Sequence, residues 1–235
     1  MSTAIVVQAR MGSTRLPGKV LKDIAGRPML SYQMERLRRV KRAERIVVAT
    51  TDQPADDAVE RFCQKEKIAC VRGSEHDVLA RYHLAIERFP ADVVVRITAD
   101  CPLIDPAIVD DAIAAYEPDY VSNMLEITYP YGMAVEVFSA QALREAHREA
   151  KDPAEREHVT PFIWRRPQRY RLKSLTMTPN LSHHRWTVDT PEDFELVSRL
   201  LKTLKPHFTL QDVLAILDEH PDWCAINAHV EQKAL

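Results

Sequence analysis

Four short apolar runs constrain the fold more than anything else in this chain. They are Ala4–Ala9, Arg45–Thr50 with Ile46-Val47-Val48 at its centre, Ile68–Val71, and Asp92–Ile97. None alternates between apolar and polar, so each reads as a strand buried on both faces. Helical spacing fills the gaps between them. Leu30, Met34 and Leu37 follow Pro28, a second helix opens at Thr51-Asp52-Gln53-Pro54 and ends near Lys67, and Val78, Tyr82, Ala85 and Phe89 stripe a third. Ser74 with Asp77 resembles a capping box for that third helix. After Ile97 a fourth helix starts at Pro106, striped by Val109, Ile113 and Tyr116. Strand and helix in strict alternation predict an α/β fold with a mostly parallel sheet and helices on both faces.

The rhythm breaks after Tyr116. Asp119–Ser122 and Ala134–Phe138 read as strands, Ala140–Ala150 and Ala154–Arg165 as helices, Arg169–Thr178 as a strand and Pro179–His184 as a turn. His183-His184 reads as part of a solvated loop. The stretch 126–184 is therefore an excursion from the βα pattern, suited to an acceptor lid or a dimer surface within one domain spanning 1–235. Arg185–Asp189 reads as a returning strand. A helix striped by Phe194, Val197, Leu201 and Leu204 follows, then a last one from Thr209 to Glu219.

Bulk composition excludes several classes. The 235 residues are 46% hydrophobic, enough for a sizeable core, and the net charge of -2 gives no electrostatic case for nucleic acid. The basic stretch Arg36–Arg45 reads as a solvated helix face. Cys63, Cys70, Cys101 and Cys224 lack paired spacing, which argues against a zinc site or a disulfide framework and for a reducing compartment. No apolar run approaches the roughly 20 residues that span a bilayer. The expected location is cytoplasmic.

The loop after the first strand carries the chemistry. Gln8-Ala9-Arg10-Met11-Gly12-Ser13-Thr14-Arg15-Leu16-Pro17-Gly18-Lys19-Val20-Leu21 combines two glycines with Arg10, Arg15 and Lys19. Backbone N–H groups in such a loop cradle anions, and guanidinium and ammonium groups bind phosphate. The loop reads as a polyphosphate site or as a turn with solvated charges. It is not a Walker A loop, because five residues separate Gly12 from Gly18 and Val20 follows Lys19. Nor does it have the glycine spacing of a Rossmann dinucleotide site. Ligands of open α/β sheets bind beyond the carboxyl ends of the strands. The cationic loop, Asp52, Arg72 and Asp100 all follow strands, so all share that edge, and this favours the polyphosphate reading. Asp100 and Asp189 both lie where a strand hands over to a loop or helix. Two carboxylates beside a polyphosphate suit Mg²⁺. Asp189 could equally cap the helix that starts at Thr190-Pro191, and Asp100 could stabilise a turn.

Three motifs in order carry a family resemblance. They are Gln8-Ala9-Arg10 through Gly18-Lys19-Val20-Leu21, Thr98-Ala99-Asp100-Cys101-Pro102-Leu103-Ile104-Asp105, and Val188-Asp189-Thr190-Pro191-Glu192-Asp193. Together they resemble the sugar-acid cytidylyltransferases of the 3-deoxy-manno-octulosonate (Kdo) and acylneuraminate type, and most closely the related spore-coat polysaccharide protein SpsF group. Tyr131–Phe138 and Glu155–Thr160 are similar to that group as well. The resemblance implies a three-layer, Rossmann-like nucleotide-diphospho-sugar transferase fold, CTP as donor, a sugar-acid-like acceptor, Mg²⁺ and a homodimer. It implies that Arg10, Arg15 and Lys19 hold the triphosphate, with Arg10, Lys19 and Asp100 at the chemical step and Asp100 and Asp189 on the metal. Ala9 and Thr98 would face the cytosine, and Arg72 joins the nucleotide-binding set from its place after strand three. Tyr131, Gly132, Glu136 and His158 are candidates for the acceptor pocket; ordinary strand, turn and structural roles suit them too. Thr98-Ala99 stands where the Kdo enzymes carry Gln-Gly. Two other functions stay open: a nucleotide-binding module without catalysis, and a nucleotidyltransferase using another base or a non-sugar acceptor.

Overall fold

The computed structural model describes residues 1–117 and 119–232, so the end of the expected 1–235 domain lies outside the described residues. Its strands are β1 (Thr3–Gln8), β2 (Asp23–Ile24), β3 (Arg27–Pro28), β4 (Arg45–Thr51), β5 (Ala69–Gly73), β6 (Val93–Thr98), β7 (Tyr120–Ser122), β8 (Glu136–Ser139) and β9 (Leu172–Ser174). The helices are α1 (Met29–Leu37), α2 (Asp57–Glu66), α3 (Val78–Arg88), α4 (Pro106–Ala114), α5 (Ala140–Glu149), α6 (Pro153–His158), α7 (Pro161–Trp164), α8 (Pro191–Thr203) and α9 (Leu210–Glu219). Apart from the small β2–β3 hairpin, the strands form one sheet in the order β5-β4-β1-β6-β8-β7-β9. The β5-β4-β1-β6 half is parallel, β8 runs against β6 and β7, and β9 lies parallel to β7.

Alternation along each strand feeds two cores. Ile5 and Val7 pack with Leu30, Met34 and Leu200 on one face; Val6 packs with Leu79, Tyr82 and Leu143 on the other. Both faces are apolar, which is why the strand runs are continuous in sequence. Each fully buried Val, Ile or Leu side chain contributes about 1.5–3 kcal/mol relative to exposure. The chain grows outward from β1 through β4 to β5, then crosses back to place β6 on the other side of β1. The carboxyl ends of β1 and β6 thus flank the reversal of strand order, where the connecting loops diverge and leave a crevice.

Several local expectations are corrected. Asp77, not Ser74, caps α3, accepting from the Ala80 N–H at 2.9 Å. The helix expected over 154–165 is two helices, broken where Val159 takes φ 72° and Pro161 restarts the chain. The strand expected over 169–178 shrinks to β9, which pairs on one side only, along β7. Arg185–Val188 forms no strand among the described residues, only an isolated bridge from Arg185 to Tyr131. Arg36 is not solvated: it is buried, donating from Nη2 to the Phe208 carbonyl at 3.1 Å and lying 3.5 Å over the Phe208 ring. The four cysteines are free thiols, and no helix among the described residues is long and apolar enough to cross a membrane.

Candidate active site

The loop after β1 is folded by its own backbone and by one buried acid. The N–H groups of Ser13 and Gly18 both donate to the Met11 carbonyl at 2.9 Å. Gly18 sits at φ 71°, a left-handed conformation that glycine adopts without strain. Met11 N–H donates to Asp56 Oδ1 at 2.6 Å, and Asp56, buried just before α2, also accepts from the Thr51 hydroxyl. The loop is therefore clamped to the neighbouring strand, and its cations project over the crevice.

Lys19 is the centre of the arrangement. Its Nζ donates to the Val188 carbonyl at 2.7 Å and to Asp189 Oδ1 at 2.8 Å, and lies 3.4 Å from Asp100 Oδ2. Arg15 pairs with Asp189 Oδ2 at 3.0 Å, and Arg185 pairs with the same oxygen at 3.0 Å. Burial pulls the Lys19 ammonium down, yet Asp100 and Asp189 outweigh it and the net direction is up. Burial likewise pushes the Asp189 carboxyl up, and Lys19, with Arg15 and Arg185, more than reverses it, so its net shift is downward. The two acidic segments are laced together, because Val188 N–H donates to the Asp100 carbonyl at 2.8 Å.

Asp189 is not a helix cap. Thr190 caps α8, in a reciprocal capping box with Asp193. Asp193 is fully buried and also accepts from the Asp189 N–H at 3.0 Å and from Arg185 at 2.9 and 3.0 Å. The Asp189 side chain is thereby released toward Lys19, 170 residues away in sequence.

A cavity of about 520 Å³ opens at this crevice. Ala9, Arg10, Arg15, Lys19, Thr98, Asp100, His158 and Asp189, all picked out from sequence, line it together. Arg10 reaches Glu75 across its mouth at 3.4 Å. Burial pushes the His158 imidazole downward, toward its neutral form. Sequence reasoning missed Gln8, Glu75, Arg81 and Glu157 in the lining of the cavity, as well as Asp56 and Asp193 behind it. Only Asp193 left a local signal, the Thr190-x-x-Asp193 spacing of a capping box.

Four sequence candidates lie elsewhere. Arg72 turns away from the cavity to Asp57 at 2.7 Å and Glu60 at 2.8 Å on α2. Glu136 is buried behind the wall, paired with Arg96 and accepting from the Tyr120 hydroxyl at 2.6 Å and the Thr160 hydroxyl at 2.5 Å. Tyr131 is tied through its backbone to His184 and Trp186. Gly132, at φ 105°, abuts the Trp186–Thr187 backbone so closely that a Cβ would stand 2.6 Å from the Trp186 carbonyl carbon. Its role is the close approach of two chain segments.

The donor set fits a hard divalent cation. Asp100 and Asp189 supply carboxylate oxygens on one side of the crevice, and the described residues contain no group of three or more acidic, histidine or cysteine side chains placed to hold a metal. Mg²⁺ characteristically takes one or two protein carboxylates and completes its shell with phosphate oxygens and water.

A crevice at the strand-order reversal, with a cationic loop and paired carboxylates, on a mixed sheet of this order, defines a nucleotide-diphospho-sugar transferase fold. The structure of CMP:2-keto-3-deoxy-manno-octonic acid synthetase complexed with CTP shares that fold, at TM-score 0.63 and 21% identity over 86% of this chain and 99% of that one. The chain belongs to the cytidylyltransferase family, whose model matches residues 4–218. The spore coat polysaccharide biosynthesis protein SpsF of Bacillus subtilis is 33% identical over 226 residues, covering 92% of this chain and 94% of SpsF. The structure of a cytidylyltransferase from Leptospira borgpetersenii superposes over 100% of both chains, with TM-score 0.91 and 30% identity.

Proposed function

We propose that the protein transfers CMP from CTP to a sugar acid or a related acceptor, releasing pyrophosphate, in the synthesis of a surface polysaccharide. The observation that carries the reading is Lys19 held between Asp100 and Asp189, beside Arg15, at the carboxyl ends of β1 and β6. An acceptor oxygen attacks the α-phosphorus, the bond to the bridging oxygen breaks, and pyrophosphate leaves. Arg10, Arg15 and Lys19 bind the triphosphate and offset the charge that builds on the leaving group. Ala9 and Thr98 border the base, and His158 with Glu157 borders the acceptor. Asp100 and Asp189 would hold Mg²⁺, which supplies charge neutralisation and activation of the attacking oxygen when bound. The Asp189 carboxylate must then exchange part of its pairing with Lys19, freeing the ammonium for phosphate. The SpsF name supports the polysaccharide setting. The excursion 126–184 is proposed as the surface through which two copies pair.

The test is pyrophosphate release from CTP and Mg²⁺ with a panel of ulosonic acids. Turnover with at least one acid, abolished in Asp100→Ala with the fold intact, is the expected outcome. CTP binding without pyrophosphate release across the panel would leave a non-catalytic nucleotide module instead.

A further inference from the structure

The basic stretch that begins at Arg36 borders a second cavity. It has a volume of about 190 Å³, lies between α1 and the turn joining α8 to α9, and shares no lining residue with the crevice. Arg27, Arg36, Arg39 and Lys205 bring four positive charges to it, with His207 beside them, against one acid, Glu35. Of the four cations only Arg27 is paired with an acid among the described residues, with Glu35 at 2.7 Å.

Arg36 is the unusual member. It is 4% exposed, and a buried charge is costly unless a counter-charge stands against it. Its Nε donates to the Ile104 carbonyl at 2.5 Å and its Nη2 to the Phe208 carbonyl at 3.1 Å, and the guanidinium lies over the Phe208 ring. These partners are dipoles and a π-face, not an anion. The nearby carboxylates are engaged elsewhere. Asp105 accepts from the Ala107 and Leu210 N–H groups, and Asp212 closes the capping box of α9. Burial outweighs the pull of Asp105 and draws the Arg36 guanidinium down to about 10. Its Nη1 has no hydrogen-bond partner among the described residues.

The fold fixes this guanidinium before any ligand arrives. Gln33, one turn earlier on α1, donates to the Thr98 and Cys101 carbonyls at 2.7 and 3.1 Å, and Arg36 continues that grip at Ile104. The ordering cost of the central donor is thus met in the free protein, which favours binding. Leu201, Leu204 and Pro206 give the cavity an apolar side. Its volume falls below the roughly 300–1,000 Å³ of pockets for drug-sized ligands, so the ligand is small.

We infer that this cavity binds the phosphate group of a small phosphorylated molecule, whose carbon portion rests against Leu201, Leu204 and Pro206. A phosphate concentrates negative charge on one group and accepts from several donors at once, which suits a buried guanidinium ringed by further cations. No residue of the crevice takes part, so the assignment is independent of the CTP reading.

The experiment titrates orthophosphate, and separately phenyl phosphate, into the full chain at fixed ionic strength, following the amide resonances of Leu204, His207 and Phe208. Saturable shifts are expected, with Kd of about 1 mM or tighter for phenyl phosphate. Arg39→Gln and Lys205→Gln should each weaken that binding by about tenfold, the scale of one charge-assisted hydrogen bond, and Lys19→Met in the crevice should leave it unchanged. Arg36→Met should abolish it; thermal unfolding checks that each variant folds, and the Arg39 and Lys205 variants carry the test should Arg36→Met not fold. Phenyl phosphate should bind more tightly than orthophosphate; equal affinity would overturn the carbon-bearing ligand in favour of free phosphate. Absence of saturable shifts at these amides overturns the site, as does binding that survives both Arg39→Gln and Lys205→Gln or that is lost in Lys19→Met.

Discussion

Lys19 shows how one side chain can serve two states of a site. In the free protein its ammonium joins two carboxylates that would otherwise repel. In the proposed nucleotide-bound state the same charge would face phosphate. Lys19→Met should therefore lower kcat/KM by about 10²–10³-fold, the cost of losing one preorganised electrostatic contact, in a pyrophosphate-release assay. Asp189 gives a pH signature. Its carboxyl is held below the ordinary 3.8, so its contribution to stability is present above that value and is lost as pH falls through the lower folded value. The wild-type urea midpoint should fall steeply below about pH 4, and Asp189→Asn should flatten that fall. Equal slopes in the two proteins would show that Asp189 contributes nothing to acid stability.

At the scale of elements, the join between α6 and α7 carries the strain. Val159, β-branched and buried, has φ 72° and ψ −56°, and the Thr160 N–H donates to the His158 carbonyl at 2.8 Å. This is a γ-turn of the rarer hand, a conformation that β-branched residues seldom adopt. It persists because Thr160 is anchored to Glu136 on β8, which is itself paired with part-buried Arg96 on β6. The turn delivers His158 to the cavity wall. Glu136→Ala leaves the part-buried Arg96 guanidinium unpaired, so it should destabilise the fold by about 3 kcal/mol in urea titration. The double variant with Arg96→Met should recover much of that loss. No recovery would mean that the ion pair is not the source of the cost.

On the scale of the whole molecule, the sheet order places chemistry by topology. Its reversal beside β1 brings together residues from the first loop, from the end of β6 and from the segment before α8. The β8-β7-β9 half and α5 to α7 extend the wall on the α3 side, and they contain most of the excursion proposed as a pairing surface. Sedimentation at micromolar concentration should give twice the mass of the chain, and a monomeric mass there would end that proposal.

The strands β1, β4 and β6, the cationic loop and the parallel half of the sheet were legible because their causes are local. Apolar runs, glycines and charge spacing act within a few residues of one another. The excursion was less legible, since β7 and β9 are three residues each and exist only because a neighbouring strand satisfies them. Glu136 and Arg72 read as site residues from position alone, yet burial and nearby acids decided their orientation. Sequence by itself determined which residue types stand at the strand ends and hence the class of chemistry. Tertiary structure alone decided that Asp189 meets Lys19, because that contact depends on Thr190 taking the cap, Asp193 holding the backbone and Gly132 letting the segments close.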